Sequence, residues 1–340
     1  MKISTHAAAA TVLACALAGG ASAQQFKADP ALVAAATKEG SVVIYTANQL
    51  ESEQQLAKKF NERFPGIKIE IVRAPGSRLI ARVDAEAASG KLGADIIEFS
   101  DSGLAKPYEK LLADYAPANA AKYPAEIRAI SAKMWPKTAW GYVLAYNKAL
   151  VKSPPKSWAD LTKPDFNEKM GWIPAGAGGT SWTLAMFQRQ KLGENEWKNL
   201  AAKQPVMHPS DAPLLAAVVR GEARVAPLKT NSIIPAMKEG APIGIVYPTD
   251  GVPMTVSVAG ISATAPHPKA ARLYLDWILS EEGQEDWVKN SGGMTVLEGG
   301  SLPEGADKAT LKLWFPDVKA YADLRNDWVN QWNTTFNYRQ

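Results

Sequence analysis

The sequence predicts an α/β fold with a mainly parallel sheet and two lobes. Residues 41–45 (SVVIY) form a compact β-branched run, which is typical of a parallel strand buried on both faces. Residues 51–64 then form an amphipathic helix that ends at the Pro-Gly of 65–66. Strand and helix patterns alternate in this way along the chain, as they do in α/β proteins. The length of 340 residues exceeds what one hydrophobic core usually supports, which indicates two lobes.

The remaining elements continue this alternation. In the first part of the chain we predict a helix over 30–38, a strand over 67–71, a helix over 77–89 and a strand over 94–99. A second series after residue 136 has strands over 140–146, 224–228, 243–247 and 256–263, another strand ending near 173, and helices over 181–191 and 212–220. An apolar stripe predicts one long helix over 268–291.

The N-terminus has the three-part form of a secretory signal peptide. Lys2 precedes an apolar run over 7–18, and small residues end in the Ala-Ser-Ala of 21–23. The run is shorter than the roughly 20 apolar residues of a membrane-spanning helix. We therefore expect cleavage after Ala23 and export to the periplasm. A second interpretation takes 12–15 (VLAC) as a lipoprotein box with a lipidated Cys15, which leaves a very short signal and the Ala-Ser-Ala site unused.

Composition limits the functional classes. Cys15 is the single cysteine, so cleavage after Ala23 would leave no disulfide, thiol nucleophile or Cys-ligated metal. The 38 basic and 34 acidic residues give a dispersed net charge of +4. This small excess does not predict a nucleic-acid partner, which requires a clustered basic face.

Catalytic motifs are also missing from the sequence. Beyond residue 23 the histidines are His208 and His267, and no nucleophile elbow, zinc-type histidine pair, phosphate loop or dinucleotide fingerprint is present. Asp95 and Glu98 are interpreted as strand-edge residues, and Asp101 as a loop cap. We therefore predict neither enzymatic activity nor a cofactor, although some hydrolases and transferases share this fold class.

Six segments, in this order and spacing, carry a resemblance to a known family. They are 42–47 (VVIYTA), 60–68 (FNERFPGIK), 79–86 (LIARVDAE), 141–147 (GYVLAYN), 157–161 (SWADL) and 270–284 (AARLYLDWILSEEGQ). The sequence resembles the periplasmic solute-binding proteins of ABC importers, in the branch that contains the ferric-ion-binding proteins.

The resemblance implies a type II periplasmic-binding-protein fold with a ligand cleft between two lobes. Lobe one is expected at 24–137 with 259–303, and lobe two at 138–258 with 304–340. A hinge would close the lobes over a small molecule, and an inner-membrane ABC permease would recognise the closed form. The family default is a monomer. A ligand sensor of the same fold would use the same closing clamp and is the alternative role.

In α/β sheets, ligands lie beyond the carboxyl ends of the strands. The loops at these ends give candidate ligand-binding residues in lobe one, where Arg78 could clamp a carboxylate or phosphate with two hydrogen bonds, or could simply lie on the surface. The candidates of lobe one are Thr46, Ala47, Ser77, Arg78, Ser100 and Asp101.

In lobe two the small-residue segment 175–182 (AGAGGTSW) runs into a helix. Its glycines allow close approach of a ligand, and the first N–H groups of the helix favour an anionic oxygen. A flexible linker with an N-cap is the alternative. The candidates of lobe two are Gly178, Gly179, Thr180, Ser181, Lys229, Asn231 and Tyr247.

The sequence departs from the ferric-binding relatives at one informative point. The resemblance places a neighbouring tyrosine pair after the strand that follows Gly221-Glu222, but residues 228–234 read LKTNSII. Lys229 would repel a ferric ion. We therefore predict no metal site and an organic anion as the ligand, with ferric ion as the alternative.

Overall fold

A computed structural model describes residues 24–74, 76–124, 131–298, 300 and 302–339. The predicted signal peptide lies outside this range. The strands are β1 Ser41–Thr46, β2 Lys68–Arg73, β3 Ile96–Phe99, β4 Trp135–Asn147, β5 Gly171–Trp172, β6 Val206–Met207, β7 Val225–Lys229, β8 Ile243–Val246, β9 Val252–Ile261 and β10 Leu313–Trp314.

The helices alternate with these strands. They are α1 Pro30–Glu39, α2 Leu50–Arg63, α3 Gly76–Ala88, α4 Ser102–Ala105, α5 Gly179–Phe187, α6 Glu196–Ala202, α7 Asp211–Arg220, α8 Thr230–Lys238, α9 Pro268–Ile278, α10 Glu281–Ser291, α11 Val318–Asp323 and α12 Arg325–Thr335. Short 3₁₀ turns occur at Lys106–Leu111, Ala120–Lys122, Ala159–Thr162 and Ala175–Ala177, and a π-turn at Gln188–Leu192. No described helix is long and apolar enough to cross a membrane.

The main sheet has eight strands among the described residues and mixes parallel and antiparallel pairs. The order β2-β1-β3-β9-β4-β7 is extended by β8 beside β4 and β10 beside β9. The pairs β1–β2, β1–β3 and β9–β10 are parallel, whereas β9 is antiparallel to β3 and β4, and β4 is antiparallel to β7 and β8. The predicted mainly parallel sheet is therefore wrong beyond β1–β3, because the chain returns through the sheet in β4 and β9.

Two long strands, β4 and β9, connect the two halves of the molecule. The first part of β4, from Trp135 to Gly141, pairs with β9. Its second part, from Tyr142 to Asn147, pairs with β7 and β8. The end of β9 pairs with β3. Each long strand thus contributes to both parts of the sheet. The two strands pair with each other where the chain passes from one part of the sheet to the other.

Two clusters of buried side chains form the core. One surrounds β1, β3, β9, α2 and α9, where Phe60 packs edge-to-face on Tyr274 and Trp277. The other is rich in tryptophan, and its members include Trp158, Trp182 and Trp332. The tryptophans in the apolar stripe of α9 and α10 are core residues, as predicted.

The predicted long helix over 268–291 is instead two helices, α9 and α10, that meet at Ser280. The Ser280 hydroxyl accepts a hydrogen bond from Gly283 N at 3.2 Å and donates to Trp277 O at 2.6 Å. This N-cap begins a new helix. The apolar stripe concealed the break because Trp277 and Trp287 are both fully buried on either side of it.

Candidate functional site

A cleft of about 1250 Å³ opens between the two halves of the molecule. Its first wall consists of residues 47–51, Arg73, Leu79, Ile80 and residues 98–101, which belong mostly to segments around the carboxyl ends of β1, β2 and β3. The lining residues of the second wall are 176–181, 209–212, Lys229, Asn231, Ser232 and Arg325, among others. Trp140 and Tyr142 of β4 also line the cleft. The cleft lies at the strand ends, where the sequence predicted a site.

Helices α2, α4, α5, α7 and α8 all begin at or next to residues that line this cleft. The N-cap residues of α2, α7 and α8, which are Gln49, Ser210 and Lys229, make no side-chain hydrogen bond to the first turn. In contrast, Asp101 caps α4, and Ser181 accepts from Gly178 N at the start of α5. Among the helices that begin elsewhere, α1, α10 and α11 are capped by Asp29, Ser280 and Asp317, whereas α6 and α9 have no side-chain cap. The starts of α2, α7 and α8 thus bring N–H groups and the positive ends of three helix dipoles to one space.

Most of the predicted site residues are brought together in the cleft. Those that line it are Ala47, Ser100, Asp101, Gly178, Gly179, Thr180, Ser181, Lys229 and Asn231. Three others do not belong to its lining, and they are Thr46, Arg78 and Tyr247. The predicted role of Ser77 concerns a side chain outside the described part of the structure.

Local contacts explain these other positions. Thr46 is fully buried, and its hydroxyl accepts a hydrogen bond from Asn48 N at 3.1 Å. Ser77 and Arg78 belong to the first turn of α3, and Arg78 is exposed. The Tyr247 hydroxyl donates to Glu304 O at 3.0 Å. A ligand-binding role for Thr46, Arg78 and Tyr247 stays a prediction without support from the shape of the cleft, and the role of Ser77 stays a prediction.

The glycine-rich segment is occupied by groups of the protein itself. Ser181 Oγ accepts from Gly178 N at 3.0 Å and lies within hydrogen-bonding distance of Gly178 O and Ala175 O. The Asp101 carboxylate lies against Gly179, so that a Cβ atom on this glycine would overlap Asp101 Oδ2. As predicted, Asp101 is also a cap, because its Oδ1 accepts from Gly103 N at 2.8 Å.

Lys229 lies in the cleft and forms an ion pair. Its Nζ is 2.7 Å from Asp211 Oδ2, and the two side chains are 17% and 24% exposed. Asp211 is the first residue of α7, where a carboxylate is favourable for the helix dipole. Burial and the nearby charge of Asp211 raise the pKa of Tyr142 well above its ordinary value, so this phenol is neutral and can donate a hydrogen bond.

A buried ion cluster lies behind the first wall. Lys137 Nζ is 2.7 and 2.8 Å from the Glu53 carboxylate oxygens and 2.6 Å from Glu98 Oε1, and all three side chains are at most 1% exposed. Asn48 Nδ2 donates to both glutamates, and Lys137 Nζ lies 4.5 Å from the ring centroid of Trp287. Glu98 also lines the cleft, so the cluster connects the wall to the crossing strand β4.

The charges of this cluster shift the pKa values of its members. Burial and the negative charge of Glu98 raise the pKa of Glu53 to about 7, against the opposing effect of Lys137. Burial disfavours the charged form of Lys137, but the two glutamates outweigh it and raise its pKa. Lys137 therefore stays positive and Glu53 titrates near neutral pH.

The predicted positions of Asp95 and Glu98 at a strand edge are wrong, because both are completely buried. Glu98 belongs to the ion cluster described above. Asp95 accepts hydrogen bonds from Val43 N at 2.8 Å and His267 N at 2.6 Å, and its Oδ2 lies 2.9 Å from His267 Nδ1. These partners offset the cost of burying the carboxylates.

Sequence reasoning missed several residues of the cleft. Arg73 is the last residue of β2, so the strand-end rule could have found it. Tyr142 lies within β4, where an aromatic residue indicates core packing as readily as a ligand wall. Arg325 is contributed by a C-terminal helix that has no motif.

A family model described as bacterial extracellular solute-binding protein matches residues 55–312. The chain belongs to this family. The resemblance inferred from the six sequence segments is thereby confirmed. Solute-binding proteins of this type are the ligand-capturing components of ABC importers, which work together with membrane permeases.

Similar proteins share the fold at low identity. The Fe(3+)-binding periplasmic protein of Serratia marcescens is 22% identical over 264 residues, which cover 74% of this chain and 77% of that protein. Iron-bound HitA from Pseudomonas aeruginosa matches with a TM-score of 0.70 and 22% identity, covering 87% of this chain and 98% of its own. AfuA from Actinobacillus pleuropneumoniae, with exogenous fructose-6-phosphate bound, gives 0.71 and 22%, covering 88% and 99%. The predicted type II fold with two lobes is confirmed.

Proposed function

We propose that this solute-binding protein captures a small organic anion in the periplasm and delivers it unchanged to an inner-membrane permease. The observation that carries the proposal is the opening of three helix starts without a side-chain cap, those of α2, α7 and α8, onto one cleft. The N–H groups and the positive dipole end of a helix start both stabilise negative charge.

The cleft is lined by the acidic residues Glu51, Glu98, Asp101, Asp211 and Glu239, and it is the basic side chains of the cleft that support an anionic ligand. Asp211 is paired with Lys229, and Glu98 with Lys137. Two guanidinium groups, of Arg73 and Arg325, also line the cleft. Arg325 Nη1 is buried and has no hydrogen-bond partner among the described residues. A carboxylate or phosphate group matches the planar donor geometry of arginine.

We propose the lobe boundaries expected from the sequence, 24–137 with 259–303 and 138–258 with 304–340. The two changes of lobe would fall in β4 and β9, where strand pairing passes from one part of the sheet to the other. Bending of these strands would close the lobes over the ligand. Since one chain provides both walls of the cleft, a monomer is sufficient for capture.

Ferric ion is the alternative ligand, and the names of two relatives support it. Against it stands the segment 228–234, which has no tyrosine. Among the described residues there is also no group of three His, Cys, Asp or Glu side chains that could hold a metal ion. The fructose-6-phosphate bound to AfuA supports an organic phosphate as one candidate ligand.

A thermal-shift screen tests the ligand class. The full chain is expressed, purified from the periplasm and screened against carboxylates, phosphonates, sugar phosphates, neutral sugars, amino acids, polyamines and ferric citrate. A ligand at about 100 times its Kd stabilises the folded state by about 2.7 kcal/mol. We expect hits among the organic anions. A hit with ferric citrate or polyamines alone would contradict the proposed ligand class and leave the transport role in place.

Arginine variants then test the site. Arg73→Gln and Arg325→Gln should each weaken binding of an anionic hit about tenfold or more, because a charge-assisted hydrogen bond contributes about 1.5–3 kcal/mol. Arg78→Gln is the matched control, since Arg78 is an exposed arginine outside the cleft lining. Equal losses in all three variants would contradict the assignment of the cleft.

Export and role need separate measurements. N-terminal sequencing of the periplasmic protein should begin at Gln24, whereas membrane-bound protein lipidated at Cys15 would support the lipoprotein alternative. Uptake of the labelled hit should be lost when the gene is deleted. Intact uptake in the deletion strain would favour a sensor, and chemical conversion of the bound hit would contradict the non-enzymatic role.

A further inference from the structure

A tyrosine hydroxyl connects the two walls of the cleft. Tyr321 Oη lies 2.5 Å from Asp101 Oδ2 and 2.6 Å from Gly179 O. Asp101 follows β3 on the first wall, and Gly179 is the first residue of α5 on the second wall. Tyr321 belongs to α11 in the C-terminal segment, 220 residues from Asp101 in sequence. Three distant segments of the chain thus meet at one hydroxyl group.

The tyrosine ring lies against Gly103 of α4, next to the first wall, and its other contacts belong to the second wall. Its side chain is in the tryptophan-rich core cluster and is 2% exposed. Trp182 Nε1 donates to Tyr321 O at 2.9 Å. The Thr183 hydroxyl donates to the Tyr321 hydroxyl at 3.3 Å and in turn accepts from Thr255 at 2.9 Å. These contacts leave the phenol oxygen in one position, directed at Asp101.

The absence of a side chain at Gly179 makes room for the Asp101 carboxylate. The Asp101 carboxylate occupies the space in which any side chain at position 179 would begin. At the neighbouring Gly178 the backbone is extended, with φ −174°, and an added Cβ atom would meet nothing within 4 Å. A methyl group at position 179 would therefore push the walls apart, whereas a methyl group at position 178 would not.

We propose that the Asp101–Tyr321–Gly179 contact is a latch that holds the two walls together before a ligand binds. It rests on the hinge closure of the proposed function. Asp101 is 6% exposed, and this burial shields the hydrogen bond from competing water. A contact made only in the closed form shifts the population toward that form, so a ligand meets a cleft that is already partly assembled.

The latch also changes the part played by the glycine-rich segment. An internal carboxylate, that of Asp101, already lies at the start of α5, where the sequence predicted a ligand oxygen. A negatively charged ligand group is repelled there. The latch thereby disfavours the start of α5 as the place for that group.

Spin-label distances in the unliganded protein test the latch. Glu51 and Glu239 are exposed residues at the cleft, one on each wall, and both are changed to cysteine in the full chain with Cys15→Ser. Tyr321→Phe keeps the ring and removes the hydroxyl, and Gly179→Ala displaces the carboxylate. For both variants we expect a shift to longer distances, with the ratio of closed to open molecules falling about tenfold. Gly178→Ala should retain the parent distribution.

Unchanged distances in Tyr321→Phe would overturn the latch, as would an equal shift in Gly178→Ala. Far-UV circular dichroism confirms that each variant is folded, and Tyr321→Phe decides the question if Gly179→Ala does not fold. Because no ligand is added, the result does not depend on the ligand class. If an anionic hit shortens the distances while the latch variants change nothing, the latch fails and the proposed function stands. If the hit does not shorten them either, hinge closure fails.

Discussion

Removing the buried charge of Lys137 should greatly destabilise the protein. Its ammonium group is completely buried and contacts both Glu53 and Glu98 at 2.6–2.8 Å. Lys137→Met keeps most of the volume and leaves two carboxylates without their counter-charge. Breaking a buried ion pair in this way costs about 3–5 kcal/mol. Since the stability of a native protein is about 5–15 kcal/mol, the loss is a large part of the total.

The assay is urea unfolding at pH 8, followed by tryptophan fluorescence. The control is the triple variant Lys137→Met with Glu53→Gln and Glu98→Gln, in which no charge is buried. Replacement of a complete buried ion cluster by neutral groups is often nearly neutral for stability. The triple variant should therefore recover most of the lost free energy. A cost below about 1 kcal/mol for Lys137→Met, or a triple variant no more stable than the single one, would refute this reasoning.

Three further predictions concern pH and local stability. The pKa of Glu53 is raised from 4.5 to about 7 on folding, so its contribution to the free energy of unfolding is lost as the pH rises through that window. The wild type should lose about 3 kcal/mol relative to Glu53→Gln between pH 4.5 and 7.5 in urea titrations, and parallel curves would contradict this. Ser280→Ala should cost about 1 kcal/mol through loss of the α10 cap, and an unchanged urea midpoint would exclude that role. Asn147→Ala should cost about 2–3 kcal/mol, because this buried amide bonds the carbonyl oxygens of Val218 and Val219. An equal loss in the exposed control Asn195→Ala would show a nonspecific effect.

Local sequence patterns predicted the elements whose cause is local. The β-branched run of 41–45 became β1, and Leu56, Phe60 and Phe64 are the buried face of α2 and its end, as their spacing indicated. The strand-end rule placed the cleft correctly, because the loops at the carboxyl ends of parallel strands meet at one edge of the sheet.

Features that depend on distant partners could not be predicted in this way. Lys137 lies 84 residues from Glu53 and 39 from Glu98, and nothing near it in sequence indicates a buried lysine. The contact of Tyr321 with Asp101 could not be predicted for the same reason, because the two residues are 220 positions apart. Sequence reasoning correctly identified Asp101 as a local cap through its Oδ1. It did not predict that Oδ2 of the same carboxylate contacts the Tyr321 hydroxyl.

The side-by-side arrangement of β4 and β9 has a mechanical consequence. Along Trp135–Gly141 the two strands are hydrogen-bonded to each other, so they form one ribbon. Such a ribbon bends readily across its flat face, while its ladder of hydrogen bonds resists sliding of one strand past the other. We expect the lobes to rotate about essentially one axis, with little lateral shear. The size of the captured solute would then determine one quantity, the angle between the lobes. A permease could distinguish the loaded protein from the empty one by that angle alone.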